Sequence, residues 1–160
     1  MKVIRIKDLI GTERDVVFKE GNSIRPILAS DGMGFSIHKT IIPKGRKGHW
    51  HYKNHLESCY CISGLGVLTN LKDGYEYIIE PDIVYSLDKN DDHTFEAIED
   101  VVLISVFNPP ITGNEIHDDT GAYSINNELV RQKAKEIVQV INCSRNSYDA
   151  EELVTEILNK

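Results

Sequence analysis

Three histidines, His49, His51 and His55, lie within seven residues, and Glu57 and the turn-forming Gly64 follow them. Alternate residues of a β-strand face the same side, so a regular strand through positions 51, 53, 55 and 57 would present imidazole and carboxylate groups together. Such groups bind divalent metal ions. An isolated histidine is more often a solvated or hydrogen-bonded surface group. Their density here, ahead of a glutamate and a glycine turn, favours a metal site.

A second polar group occupies the segment 81–93, which ends in two aspartates and His93. We predict that His93 begins a strand that faces the first group across the interior of a barrel. Glu57 and His93 could then hold a divalent ion through a carboxylate oxygen and an imidazole nitrogen, leaving coordination positions open for a substrate. Such an ion would act as a Lewis acid. For Tyr85, the residues alone favour a core aromatic, because that is the commoner place for a tyrosine in a strand.

The elements that must position these residues are short apolar runs separated by turn formers, a pattern typical of a β-barrel or sandwich. It extends from Val3 to Phe107. Gly64 and Gly74 mark hairpin turns, since glycine tolerates positive φ. The two prolines after Asn108 lack backbone donors and must end the last strand. Strands are predicted at Val3–Ile6, Arg25–Leu28, Gly34–Ile42, Glu57–Ser63, Gly66–Leu71, Glu76–Ile79, Val84–Leu87, Thr94–Ile98 and Val101–Phe107.

The segment 111–123 is polar and irregular, and two amphipathic patterns follow it. In the first, apolar residues recur at three- and four-residue spacing, as on one face of a helix. In the second, Asp149 and Glu152 form a capping pair ahead of further apolar positions. We therefore predict two helices that pack on the barrel or on a partner chain. Their apolar positions are Val130, Ala134, Ile137, Val138 and Ile141 in the first and Leu153, Val154, Ile157 and Leu158 in the second.

The composition limits the classes of function. A chain of 160 residues that is 41% hydrophobic and 27% charged can bury one sizeable core. Its formal charge of -7 and the lack of a basic stripe argue against nucleic-acid binding. No signal peptide or membrane-spanning stretch is evident, and three cysteines are too few for a disulfide framework. We expect a cytoplasmic protein with reduced thiols and no membrane partner.

The longer motifs resemble those of a known family. Residues 49–64 resemble the first motif of the cupin superfamily, and residues 81–93 resemble a degenerate form of its second motif. A more specific set of segments, taken in order, is similar to the ectoine synthase family over residues 1–125. The resemblance implies an all-β, jelly-roll-like cupin barrel over 1–125, followed by a helical extension over 126–160. The segments that carry it are Asp31–Ser36, His51–Glu57, Tyr60–Ile62, Tyr85–Asp88 and Val106–Asp118.

The same resemblance implies a homodimer that binds iron(II). Matched position by position, the iron ligands fall on Glu57, Tyr85 and His93. This replaces the interpretation of Tyr85 as a core aromatic. The histidines at positions 49 and 51 are then not ligands, and His51 or His55 instead lines the pocket or supports the ligands from behind.

The reaction implied is the intramolecular condensation of N-gamma-acetyl-2,4-diaminobutyrate to ectoine, a compatible solute linked to osmotic stress, with loss of water. This makes the protein a carbon-oxygen hydro-lyase. Iron would polarise the acetamide oxygen, and a carboxylate with a phenol or imidazole would move the protons. The implied catalytic residues are Tyr52, Glu115 and His117. The implied substrate contacts are Arg25, Thr40, Tyr52, His55, Phe107, Glu115 and His117, with Arg25 pairing with the substrate carboxylate.

The chain departs from the family pattern at four positions. The family usually has tryptophan where this chain has Gly21 and arginine where it has Ile24; Ser105 replaces a common cysteine, and Ile83 breaks the cupin Pro-x-Gly pattern. Loss of the tryptophan removes an aromatic pocket wall. Two alternatives therefore stay open: an iron cupin lyase or dehydratase acting on a related small amino-acid derivative, and a non-catalytic metabolite-binding cupin whose helical tail engages a partner.

Overall fold

Along the β-strands of this protein, successive side chains alternate between the inward and the outward face of the sheet. The structure, a computed structural model, describes residues 1–113, 115, 123 and 134–140, and ten strands occur in that part of the chain. Short 3-10 turns lie at Ile6–Asp8 and Ala29–Asp31. The strands are β1 (Asp15–Phe18), β2 (Gly21–Ile27), β3 (Ser36–Ile42), β4 (Lys47–Trp50), β5 (Leu56–Ser63), β6 (Gly66–Asn70), β7 (Glu76–Ile79), β8 (Val84–Leu87), β9 (His93–Ala97) and β10 (Val101–Asn108).

The strands form two antiparallel sheets. One has six strands in the order β1-β2-β3-β10-β5-β8, and the other has four in the order β4-β9-β6-β7. Strands that are distant in sequence are neighbours in space: β10 pairs with both β3 and β5, and β9 pairs with β4 and β6. The predicted all-β class is confirmed. Long-range pairing is what brings polar residues from separate segments together.

The strand prediction fails at the N-terminal end. The strand expected at Val3–Ile6 is wrong, because Val3 is exposed and Ile6 begins a 3-10 turn instead of pairing with a neighbour. Two real strands, β1 and β4, were not predicted. Each is four residues long and owes its extended state to pairing, β1 with β2 and β4 with β9.

The inward face of the six-stranded sheet combines apolar and polar residues. Val101, Leu103 and Phe107 of β10 are buried, while the outward-facing residues that alternate along the strand are partly exposed. The same inward face carries Ser105 of β10 and Glu57 of β5, which are also buried. Buried polar groups are unfavourable unless they are bonded or serve a ligand. Their presence in the core therefore marks a candidate site.

The chain divides into two compact units, Met1–Ser124 and Ile125–Lys160. In the second unit, residues 134–140 form a helix, where the first amphipathic pattern predicted one. The second predicted helix and Cys143 lie outside the described residues. No helix in the described part of the chain is long and apolar enough to span a bilayer. The other two cysteines, Cys59 and Cys61, are free thiols.

Candidate active site

Both sheets contribute side chains to one cavity, which encloses about 400 Å³ including its opening to solvent. Its lining is mixed, with aromatic rings and aliphatic groups beside hydroxyl, carboxyl and imidazole groups. The lining residues are Phe18, Ser23, His38, Thr40, Ile42, Trp50, Tyr52, Glu57, Tyr85, His93, Leu103, Ser105, Phe107 and Tyr123.

The three residues assigned to iron by resemblance all line this cavity. Glu57 lies on β5 and Tyr85 on the adjacent β8, whereas His93 begins β9 in the other sheet. The prediction that His93 begins a strand is confirmed. Within the described residues, no three His, Cys, Asp or Glu side chains cluster as a metal site. The set here has one carboxylate, one imidazole and one phenol.

Burial sets the charge of the Glu57 side chain, which is 7% exposed. Burial raises the pKa of this carboxyl to about 7, although hydrogen bonds from Cys59 and Ser105 lower it in part. The Cys59 thiol donates to Oε1 over 3.2 Å. A buried carboxylate is stabilised in its charged form by a nearby cation. The chemistry of Glu57 therefore fits a metal ligand.

His93 and Tyr85 also fit a metal site. The Asp91 carbonyl accepts a hydrogen bond from Nδ1 of His93 over 3.0 Å, so Nε2 carries the lone pair that a metal requires. Burial lowers the pKa of His93 and keeps the ring neutral. Burial likewise raises the pKa of Tyr85 well above its ordinary value. A phenolate at this position would accordingly need a cation beside it.

Three of the predicted substrate contacts, Thr40, Tyr52 and Phe107, line the cavity. The Tyr52 ring packs edge-on against Phe107, with ring centroids 5.1 Å apart. The Thr40 hydroxyl lies 3.4 Å from the hydroxyl of Ser105. Burial and the neighbouring Tyr123 raise the pKa of Tyr52 well above its ordinary value, so its phenol holds a proton at neutral pH.

Arg25 and Glu115 do not line the cavity but hold the loop that follows β10. The Arg25 guanidinium donates to the carbonyls of Gly113 over 2.8 Å and of Glu115 over 3.2 Å. The Glu115 carboxylate accepts bonds from the Thr112 amide over 2.7 Å, the Thr112 hydroxyl over 2.8 Å and the Gly113 amide over 2.8 Å. Although burial raises the pKa of Glu115, these hydrogen bonds lower it overall.

His55 likewise contacts the exit of β10, where its Nδ1 donates to the Pro109 carbonyl over 2.7 Å. His117 lies outside the described residues. The roles of Arg25, His55, Glu115 and His117 stay predictions.

The regular strand expected through positions 51–57 is wrong, because a turn at residues 53 and 54 separates β4 from β5. Only Glu57 of the four equal-parity positions lines the cavity. His49 and His51 instead lie beside Asp92, outside the cavity lining. His49 Nε2 lies 2.6 Å from Asp92 Oδ1, and His51 Nδ1 lies 3.9 Å from Asp92 Oδ2.

Sequence reasoning missed several lining residues, of which Ser23 is the most informative. Ser23 is 3% exposed, and its hydroxyl has no hydrogen-bond partner among the described residues. It lies opposite Thr40 in the β2–β3 pairing, so two hydroxyls face the cavity side by side. The parity of Ser23 with Arg25 on one strand was the available signal. His38 was missed too, and its ring lies 4.8 Å from that of Phe107.

The aromatic wall expected to be lost at Gly21 is supplied by other residues. A Cβ at Gly21 would lie 2.0 Å from the Ile41 carbonyl oxygen, so no side chain fits there without a backbone shift. Phe18, the pairing partner of Gly21 on β1, lines the cavity. Its ring meets the edge of Trp50 at 6.4 Å. Ile24, the second departure, is buried in the core.

Solved structures with low sequence identity show the fold alone. A protein from Planctomyces limnophilus matches with a TM-score of 0.56 at 19% identity, over 69% of this chain and 90% of that one. A cupin domain from Schizosaccharomyces pombe matches with a TM-score of 0.50 at 14% identity, over 59% of this chain and 68% of that one. The cupin-type barrel predicted from the motifs is therefore confirmed.

The matches with higher sequence identity share one description, ectoine synthase. The family model for ectoine synthase matches residues 1–127. The L-ectoine synthase of Halalkalibacterium halodurans is 46% identical over 125 residues, which is 78% of this chain and 97% of the relative. That of Marinomonas sp. is 51% identical over 116 residues, 71% of this chain and 90% of the relative. The crystal structure of ectoine synthase from P. lautus has a TM-score of 0.71 at 40% identity, covering 76% of this chain and 87% of that one. This chain belongs to the ectoine synthase family.

Proposed function

We propose that the protein is a carbon-oxygen hydro-lyase that cyclises N-gamma-acetyl-2,4-diaminobutyrate to ectoine with loss of water. The observation that carries the proposal is the convergence of Glu57, Tyr85 and His93 on one cavity. Membership of the family supports the same reaction and favours an enzyme over a non-catalytic metabolite-binding cupin.

The cavity favours an intramolecular reaction. A pocket that holds a flexible diamino acid in a folded conformation accelerates its cyclisation, because the amine and the acetamide carbonyl then stay close together and correctly oriented. Phe18, Trp50 and Phe107 form apolar walls that limit water around the folded substrate. The hydroxyls of Ser23 and Thr40 offer hydrogen bonds to its polar groups. The walls therefore shape the substrate and the hydroxyls orient it.

Glu57, Tyr85 and His93 are proposed to hold iron(II). When bound, the ion supplies Lewis acidity toward the acetamide oxygen. The part of the three residues is to fix the ion at one wall of the cavity, through a carboxylate oxygen, a phenolic oxygen and Nε2 of the imidazole. The buried carboxylate and the neutral His93 ring support this assignment.

Proton movement falls to residues near the substrate. The attacking amine must lose a proton and the departing hydroxyl must gain one. Tyr52 keeps its proton at neutral pH and lines the cavity, so it is proposed as the donor. Glu115 is ionised and is proposed as the acceptor, together with His117. Because Glu115 does not line the cavity, that role requires its carboxylate to turn toward the substrate and exchange a hydrogen bond from Thr112 for one from the substrate.

The protein is further proposed to act as a cytoplasmic homodimer that makes a compatible solute under osmotic stress. Exposed apolar side chains on the outward faces of β5 and β8 support self-association, among them Tyr60, Ile62 and Val84. The free thiols of Cys59 and Cys61 suit a reducing compartment.

The experiment is turnover of the acetylated diamino acid by protein that is first stripped with a chelator and then reloaded with iron(II). Ectoine detected by NMR or mass spectrometry only in the reloaded sample supports the proposal. Equal product with and without metal would remove iron from the mechanism. No ectoine from fully loaded protein would favour the alternative, an iron lyase or dehydratase for a related amino-acid derivative.

A further inference from the structure

A buried thiol lies behind two of the proposed metal ligands. Cys59 is 1% exposed and follows Glu57 by two residues on β5, so both side chains take the inward face. In the register of the sheet, Cys59 lies opposite Tyr85 of β8 and opposite Ser105 of β10. The cavity lining includes its three neighbours but not Cys59 itself. Cys59 therefore contacts the site from behind.

The sulfur of Cys59 is the centre of a hydrogen-bonded group. Its S–H donates to Oε1 of Glu57 over 3.2 Å. The Ser105 hydroxyl lies 3.1 Å from the same sulfur, and because the single thiol proton is directed at Glu57, the hydroxyl is the donor in that contact. Tyr85 lies directly opposite Cys59 in the pairing of β5 with β8, a register that places the two side chains next to each other on the inward face. Cys59 thus donates to the carboxylate and packs beside the phenol.

A second cysteine on the same strand provides a comparison. Cys61 takes the same face of β5 and is 0% exposed. Its thiol contacts the Ser63 carbonyl over 3.6 Å, away from Glu57 and Tyr85. Burial of a cysteine in this strand therefore does not by itself produce contacts with the site. The contacts of Cys59 come from its register position.

We propose that Cys59 is a positioning residue that orients the Glu57 carboxylate and the Tyr85 phenol toward a shared ion. The inference rests on the proposed function, because it takes these two residues as metal ligands. Groups that hydrogen-bond to metal ligands restrict ligand rotation, and their loss typically weakens metal binding by about 10- to 100-fold. With Cys59 shortened to alanine, the carboxylate loses a donor and the phenol loses a packing neighbour, so the orientation of both ligands is less restricted.

The test is iron(II) affinity, measured without oxygen by competition with a chromogenic chelator, for the unmodified protein, Cys59→Ala, Cys59→Ser, Cys61→Ala and Glu57→Ala. We expect Cys59→Ala to bind about 10-fold more weakly and Cys59→Ser, which keeps a donor and acceptor, to recover part of that loss. Cys61→Ala, which creates a similar void on the same strand, should bind like the unmodified protein. Thermal unfolding of both alanine variants checks that their stabilities are comparable.

The outcomes separate the two proposals. If Glu57→Ala loses iron while Cys59→Ala and Cys61→Ala bind equally well, the positioning role is overturned and the metal site stands. If the unmodified protein and Glu57→Ala bind iron with the same affinity, the metal site itself is overturned, and the inference with it. Should Cys59→Ala be insoluble, Cys59→Ser decides: binding weaker than that of Cys61→Ala supports the positioning role, and binding equal to that of Cys61→Ala overturns it.

Discussion

The metal end of the cavity, formed by Glu57, Tyr85 and His93, differs from the loop after β10 in how its polar residues are held in place. Glu57 and His93 lie on strands that are paired on both sides, so backbone ladders fix the direction of each side chain. Glu115 has no such ladder. Its position depends on hydrogen bonds from Thr112 and Gly113 and on the Arg25 guanidinium. A substitution at the metal end should therefore reduce metal binding and turnover without changing the fold, whereas a substitution at the loop should displace the loop itself.

The largest expected effect is at the metal end. His93→Ala should abolish iron(II) binding and reduce turnover by at least about 100-fold, because the imidazole is lost from a site where charge develops. His49→Ala is the matched control, since His49 contacts Asp92 outside the cavity. The measurements are metal content and initial rate. Loss of iron from both variants alike would contradict the distinction between the two histidines.

The pH dependence of stability sharpens the same end of the comparison. Burial raises the pKa of Glu57 from 4.5 to about 7, so the folded metal-free protein retains a proton that the unfolded chain releases. Its free energy of unfolding should then fall by about 3 kcal/mol as the pH rises from about 4.5 to about 7, and stay level above that. Glu57→Gln should remove this decline in denaturant titrations. Parallel pH profiles for the two proteins would refute it.

At the loop, Arg25→Ala should lower the free energy of unfolding by about 3 kcal/mol, because the part-buried carbonyl of Gly113 and the buried one of Glu115 lose a charged donor. It should also speed hydrogen exchange at the amides of Thr112 and Gly113 relative to those of β10. Arg5→Ala, at an exposed ion pair with Asp8, is the control. Unchanged exchange at the loop amides would mean that the loop does not depend on Arg25.

The smallest expected effect concerns a hydroxyl on a paired strand. Ser23→Ala should raise the KM about five-fold through loss of one neutral hydrogen bond to the substrate, with little change in kcat. The free energy of unfolding should not fall, because the buried hydroxyl has no hydrogen-bond partner to lose in the described part of the chain. Ser86→Ala, which breaks an outward contact with Ser58, is the control. An unchanged KM for Ser23→Ala would remove this residue from the substrate site.

Sequence patterns predicted the strands that have strong alternation and clear turns. Gly64 shows why such turns can be recognised from sequence, because only glycine fits there: its φ is 91°, and a Cβ would lie 2.1 Å from the Asp100 carbonyl oxygen. The four-residue strands β1 and β4 could not be predicted from sequence, because pairing with β2 and β9, and not their composition, makes them extended. The histidine cluster was misleading for a similar reason. A two-residue turn breaks the parity that would have placed His51 and His55 beside Glu57.

By itself, the sequence determined the family, the all-β class and the identity of the groups that could bind a metal, because motifs and alternation are local properties of the chain. Only the tertiary structure decided which polar residues meet. The placement of Cys59 between Tyr85 and Ser105 depends on the register of β5 against β8 and β10. That register arises from pairing between segments distant in the chain, which no local pattern encodes.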